Sequence, residues 1–312
     1  MDTQYFMMMK VPTAMKPHFS MISMLIFTLV ATLVMAGCVL QPVTSLPATT
    51  AADDRSPAAS QNDAATTSAP EHAITSAEAK PTTAPESTAA PEPTVYSGPP
   101  SEEHPAIALT FDDGPSTDLT GPLLDVLLEK QVKATFFVLG NRLQSSQVRG
   151  DLLRREVAEG HEVGNHTYTH QILKKADAAT TRDELTRTTD LILSIAGVTP
   201  TIMRPPTGGY SATTEEVTRE LGLTIVNWSW QSCPEDWNHK DDPDHIANFV
   251  IENAANGHII LLHDTNSATL AAVPRIIDGL AEKGFRFMTV SELLSYSSDG
   301  VPEPGDVVSK LK

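Results

Sequence analysis

Residues 104–298 predict a parallel α/β domain, and three observations carry that expectation. Short apolar runs alternate with stretches of helical period, the pattern of parallel strands joined by crossover helices. Glycines stand where the helical stretches stop, at Gly160, Gly222, Gly257 and Gly284. Residues able to do chemistry gather just after the apolar runs, where parallel α/β folds place function. Such a stretch, about 195 residues, is long enough for one well-buried core. The alternation fits an open doubly wound sheet and a closed barrel equally.

The first strand, Ala106 to Leu109, runs into Thr110-Phe111-Asp112-Asp113-Gly114-Pro115-Ser116. Gly114-Pro115 breaks the strand and turns the chain. Neighbouring carboxylates repel, so each needs a different partner, a metal for one and a proton-transfer role for the other. Asp-Asp-Gly-Pro is also ordinary turn chemistry. Thr120 predicts the cap of a helix whose apolar face is Leu123, Leu124, Leu127 and Leu128, with Pro122 in its first turn. Lys133–Leu139 reads as a buried strand. A helix marked by Leu152, Leu153 and Val157 follows, then a short strand over His161–Gly164. Asp183–Ala196 reads as a helix with Leu185, Ile192 and Ile195 inward, before a strand at Ile202 and Met203. Helices over Thr214–Leu221, His245–Ala255 and Leu270–Lys283 alternate with strands over Leu223–Trp230, His258–Leu262 and Phe285–Thr289. A short helix runs through Leu294, and 299–312 reads as a flexible tail.

The flanking composition differs. Residues 1–38 read as an export signal, with Lys10 and Lys16 ahead of an apolar run over Met21–Met35 that is short for a membrane span. Val34-Met35-Ala36-Gly37-Cys38 resembles the lipobox of bacterial lipoprotein signals, with Met35 where Leu is usual. Cys38 is then the expected lipidated residue, and a lipid anchor on an extracytoplasmic membrane surface is the expected location. A plain signal or an uncleaved anchor is the alternative, and Met15 offers a second start. Residues 39–103 are rich in Ala, Thr, Pro, Ser and Glu and lack the apolar surface to offset their ordering entropy, so they read as a disordered tether. The net charge of −17, from 39 Asp+Glu against 22 Lys+Arg, argues against nucleic acid and against charge-driven membrane binding. Cys38 and Cys233 are not expected to pair, and Cys233 reads as a small buried apolar residue. A monomer is expected.

Five strand ends carry chemically capable residues: Asp112-Asp113, the run from Asn165 to His170, Arg204-Pro205-Pro206-Thr207-Gly208, Asp236-Trp237, and His263-Asp264. His166 and His170 are one helical turn apart and, with one carboxylate, make a set suited to zinc. Two prolines after Arg204 fix where its guanidinium points. His161, His245 and His258 read as structural or surface residues. Trp228 and Trp230 alternate with Ser229 on a strand, so no more than one of them is expected to face a cleft.

Thr-Phe-Asp112-Asp113-Gly-Pro, His166-Thr-x-x-His170, Arg204-Pro-Pro-x-Gly and Leu261-x-His263 together resemble the polysaccharide deacetylases, carbohydrate esterase family 4, over about 104–295. The resemblance implies a single distorted (β/α) barrel of about seven strands and metal-dependent hydrolysis of acetyl groups on a glycan polymer. It implies zinc, with cobalt the other divalent ion expected to serve, held by Asp113, His166 and His170. Asp112 is then the general base, oriented by Arg204, and His263 the general acid. Thr207, Asp236, Trp237 and Leu261 are the expected substrate-binding residues, with the Thr207 N–H facing the oxyanion. Two positions depart from the family: Thr207 stands where an aromatic residue is usual, and Cys233, or Gln231 if the loop is longer, stands where the family has an Asp that tunes the histidine. Glu235 and Asp236 are the carboxylates left for that task. Peptidoglycan is the expected substrate. Chitin oligomers and acetylated xylan are alternatives, as is a glycan-binding lipoprotein with impaired catalysis. Two histidines and a carboxylate also describe an iron oxygenase site, but Asp112 and the distal His263 favour hydrolysis.

Overall fold

The structure, a computed structural model, describes residues 96–312. The expected signal, Cys38 and the linker as far as residue 95 lie outside the described residues. Eight strands form one parallel sheet: β1 (Ala106–Gly114), β2 (Thr135–Val138), β3 (Glu162–Asn165), β4 (Ile202–Met203), β5 (Thr224–Val226), β6 (Ile259–His263), β7 (Arg286–Phe287) and β8 (Val307–Val308). Their spatial order is β6-β1-β2-β3-β4-β5-β8, with β7 pairing the start of β1. The sheet curls into a distorted barrel, so the barrel alternative is the one the chain adopts.

Period-two alternation along β1 separates two cores. Ile107, Leu109 and Phe111 join a cluster with Leu123, Leu124 and Leu127 of α1 (Thr120–Glu129), Leu153 of α3 (Gln147–Ala158), Val250 of α6 (Pro243–Asn253) and Ile276 of α7 (Ser267–Glu282). Ala106 and Ala108 join Phe137, Val226 and Ile259, with Val290, Leu293 and Leu294 of α8 (Val290–Leu294) plugging that inner cluster. Small residues on the inner face of β1 leave room for those plugging side chains. Further along the same face come Thr110 and Asp112, so the inner core turns polar toward the C-terminal end of the strand.

Four expectations need correction. The stretch 299–312 is no loose tail: β8 pairs β5 in parallel. The Ile225 N–H donates to the Asp306 carbonyl and the Asn227 N–H to that of Val308. Without it the outer edge of β5 would carry buried unpaired amides. The same segment narrows the gap between β5 and β6, where His258 bridges Lys310 and the Leu311 N–H donates to the Gly257 carbonyl. Leu128 is 54% exposed rather than inward, being at the rim of the apolar arc. Thr120 begins α1 instead of capping it; its hydroxyl accepts from the Ser116 N–H and donates to the buried Asp264 carboxylate. A short helix, α2 (Gly140–Ser145), was not expected, and α4 (Ala178–Ala196) starts earlier than periodicity suggests, capped by Asp177.

Candidate active site

The end of β1 departs from regular strand geometry in a way that brings both carboxylates to one side. Asp112 pairs Phe137 and Gly114 pairs Val138, leaving Asp113 as the extra residue of a bulge with φ 74°. In an unbroken strand these neighbours would face opposite ways. Here both line one cleft. Gly114 is required beside it, because a Cβ there would lie 2.2 Å from Asp264 Oδ2.

His166 and His170 leave the end of β3 not on the expected helical turn but on a loop, with Thr167 at φ 69° and His170 at φ 63°. Asn165 Oδ1 accepts the Thr167 N–H at 2.8 Å. Glu184 of α4 accepts the N–H groups of Tyr168 and Thr169, at 2.8 and 2.7 Å, and the Thr169 hydroxyl at 2.7 Å. The result is a triad in which one ligand atom each from Asp113, His166 and His170 lies within 4.8 Å of the others. His166 Nε2 and His170 Nε2 stand 3.5 and 3.4 Å from Asp113 Oδ1, and that oxygen is buried with no hydrogen-bond partner. The His166 Nδ1–H is directed at the Arg204 carbonyl, 2.8 Å away, which leaves the Nε2 lone pair for the triad. Burial pulls the His170 pKa down, favouring the neutral ring that a ligand needs. Burial pushes the Asp113 carboxyl up, but the imidazoles beside it, His166 first, with His263 and His170 beyond, hold it well below the usual range. An orphaned buried oxygen facing two nitrogen lone pairs fits a divalent cation. Glu184→Gln should therefore weaken metal affinity about 10–100-fold, measured by competition with a chromogenic chelator; unchanged affinity would remove Glu184 from the support of the triad.

Two buried groups stand behind the cleft. Arg204 is fully buried in the barrel, its guanidinium over the Phe137 ring at 4.2 Å. Its Nη1 donates to Asp112 Oδ1 at 2.8 Å and to Thr110 Oγ1 at 2.7 Å, while Nε and Nη2 donate to the Val226 and Asn227 carbonyls. Asp236, expected to touch substrate, is instead fully buried. Glu235 at φ 49° opens a 3-10 turn over Asp236–Asn238 that rolls the Asp236 side chain inward. Asp236 Oδ1 then lies 2.7 Å from His263 Nδ1, and Oδ2 accepts the His263 N–H at 2.8 Å and the Thr269 hydroxyl at 2.6 Å. Asp236 therefore takes the orienting task for which the sequence offered Glu235 or Asp236. Cys233 is buried, with its thiol pushed up to about 11 by burial.

Burial alone would lower the His263 pKa, but the Asp236 hydrogen bond and charge, with Asp112 and Asp113 further off, raise it to about 9. A raised folded-state value means that the imidazolium's contribution is full below the unfolded value near 6.5 and is lost as pH climbs through about 9. Asp236→Asn removes the main raising partner. The alkaline limb of kcat/KM should move to lower pH in this variant, with wild type and variant carrying the same metal. An unmoved limb would separate Asp236 from the titration of His263.

The cleft, of about 400 Å³, brings Asp112, Asp113, His166, His170 and His263 together with Thr207, Leu261 and Trp237. Trp228 and Trp230 line it too. The alternation expected of them fails because β5 stops at Val226 and a 3-10 turn starts at Trp230. Glu184 was missed: within α4 it looks like any helical acid beside Leu185, and only the tertiary fold shows which loop it meets.

Comparison with known proteins agrees with this geometry. Residues 100–226 match the family model described as polysaccharide deacetylase. A peptidoglycan-N-acetylglucosamine deacetylase of Bacillus cereus is 36% identical over 193 residues, covering 61% of this chain and 88% of that protein. One of the same description from Listeria monocytogenes is 37% identical over 187 residues, covering 60% of this chain but only 38% of its own length. The structure of a family 4 acetyl xylan esterase from Clostridium thermocellum, in complex with a cobalt ion, aligns with a TM-score of 0.60 at 33% identity, covering 66% of this chain and 98% of that one.

Proposed function

Because the chain belongs to the polysaccharide deacetylase family, carbohydrate esterase family 4, we propose that it hydrolyses the N-acetyl groups of peptidoglycan N-acetylglucosamine with zinc as its metal. The observation that carries this reading is that an Asp-His-His triad, a carboxylate held by a buried arginine and a histidine held by a buried aspartate open on one cleft. The Bacillus and Listeria relatives, described as peptidoglycan-N-acetylglucosamine deacetylases, support the choice of polymer.

Asp113, His166 and His170 would hold the cation, which supplies Lewis acidity to a carbonyl oxygen and to a water. Arg204 occupies Asp112 Oδ1, so Oδ2 is the oxygen left to accept a proton as water adds to the acetyl carbon. The Thr207 N–H is the backbone donor assigned to the developing oxyanion. With Nδ1 committed to Asp236, His263 presents Nε2–H to the departing nitrogen. The C–O bond forms, the C–N bond breaks, and acetate and a free amine leave. Trp237 packs edge-on to His263, ring centroids 5.7 Å apart, and with Leu261 forms an apolar wall suited to the acetyl methyl.

The test is acetate release by the full-length protein from peptidoglycan, chitin oligomers and acetylated xylan, with and without chelator and with zinc or cobalt added back. Release from peptidoglycan that chelator stops and zinc restores is the expected result. Preference for xylan or chitin would change the polymer, and glycan binding without acetate from any polymer in metallated protein would leave an impaired, binding-only lipoprotein. Anchoring through Cys38 is part of the same proposal: Cys38→Ala should release the protein from the membrane fraction.

A further inference from the structure

All three tryptophans of the chain, Trp228, Trp230 and Trp237, line the one cleft, although aromatic residues make up only 5% of the sequence. Their environments differ. Trp228 is buried and Trp237 is 37% exposed beside His263, whereas Trp230 is 62% exposed. An indole left that open by the fold forgoes a large hydrophobic gain. Its aromatic partner is Trp228, with ring centroids 5.2 Å apart and planes at 58°, and none of the reacting groups.

The support beneath Trp230 is built. Gly208 packs so closely on Trp228 that a Cβ there would lie 2.9 Å from the indole. The turn bearing Trp230 is fastened through Ser229, whose N–H donates to the Ile259 carbonyl and whose hydroxyl donates to that of Ser309. Ser232 closes the turn on the Ser229 carbonyl and exchanges a hydrogen bond with His258 Nδ1. Thr207, in the same cleft, offers no ring of its own.

We propose that Trp230 is a stacking platform for a second sugar ring of the glycan, next to the one being deacetylated, so that the site takes a polymer and reads its length. The inference rests on the deacetylase reading and deepens it. The apolar C–H face of a pyranose is the ligand that an exposed, pre-positioned indole beside a hydrolytic cleft fits, and holding the ring in place beforehand lowers the cost of binding.

The experiment measures KM and kcat for zinc-loaded, full-length wild type, Trp230→Ala and Trp230→Phe on the methyl β-glycoside of N-acetylglucosamine, which has no second ring, and on the β-1,4-linked pentasaccharide. In Trp230→Ala, KM for the pentasaccharide should rise about tenfold more than for the one-ring glycoside, roughly what one stacking contact supplies, and Trp230→Phe should restore most of it. Equal effects at both lengths would overturn the proposal and leave the deacetylase reading standing. If wild type releases no acetate, the deacetylase reading fails, and titration of the tryptophan fluorescence with pentasaccharide still decides the platform: weaker binding in Trp230→Ala supports it, and equal or absent binding refutes it. Trp230→Leu, which keeps an apolar contact on Trp228 without a ring, repeats the comparison if the alanine variant does not fold.

Discussion

Asp112→Asn is expected to lower acetate release by about 10²–10⁴-fold while leaving metal affinity within a small factor of wild type. Asparagine has nearly the shape of aspartate and still offers Oδ1 to Arg204 Nη1, the contact that fixes this side chain at 2.8 Å. The substitution removes an oxygen able to take a proton, and Oδ2 is the one that Arg204 leaves free. The triad itself is Asp113, His166 and His170, and Asp112 Oδ2 stands 3.7 Å from His166 Nε2, so the ligands stay in place. Asp113→Ala should behave oppositely, losing tight metal binding along with activity. Metal content measured beside kcat on the same samples separates the two. Equal rates for wild type and Asp112→Asn would remove the base assignment, whereas metal loss in Asp112→Asn would make Asp112 a fourth ligand.

How far the sequence could be read follows the range of the forces involved. Local patterns were enough to place the start of β1 and the helices marked by Leu123, Leu124 and Leu127 and by Leu152, Leu153 and Val157, because burial leaves a periodic trace in each segment. His166 and His170 were legible as a pair, but not for the reason expected: no helical turn joins them, and a loop with positive φ at Thr167 and His170, held by Asn165 and Glu184, brings their rings together. What escaped depends on distant partners. The bulge at Asp113 exists only relative to the β2 register. Asp236 could not be ranked above Glu235 until the positive φ at Glu235 showed which carboxylate turns inward. Val307 and Val308 are too few to announce a strand; the unpaired edge of β5 makes them one. Trp228 and Trp230 misled because the strand they were assigned to ends at Val226.

Arg204→Met should destabilise the domain by about 3–5 kcal/mol, the cost of leaving one member of a buried ion pair behind. Arg204 has no exposed surface and Asp112 almost none. Burial drags the Arg204 pKa down and Asp112 pulls it back, so the two charges depend on each other. Methionine keeps the apolar stem against Phe137 yet strands the Asp112 carboxylate, Thr110 Oγ1 and the carbonyls of Val226 and Asn227 without their donor. Urea unfolding at fixed pH reads the loss as a lower midpoint with an unchanged slope. Adding Asp112→Asn to Arg204→Met removes the stranded charge, and the double variant should recover part of that loss. Recovery assigns the deficit to the unpaired carboxylate, because simple loss of packing would add instead. Full additivity, or a loss below about 1 kcal/mol of the kind seen for solvent-screened pairs, would show that the base is held by something other than this arginine.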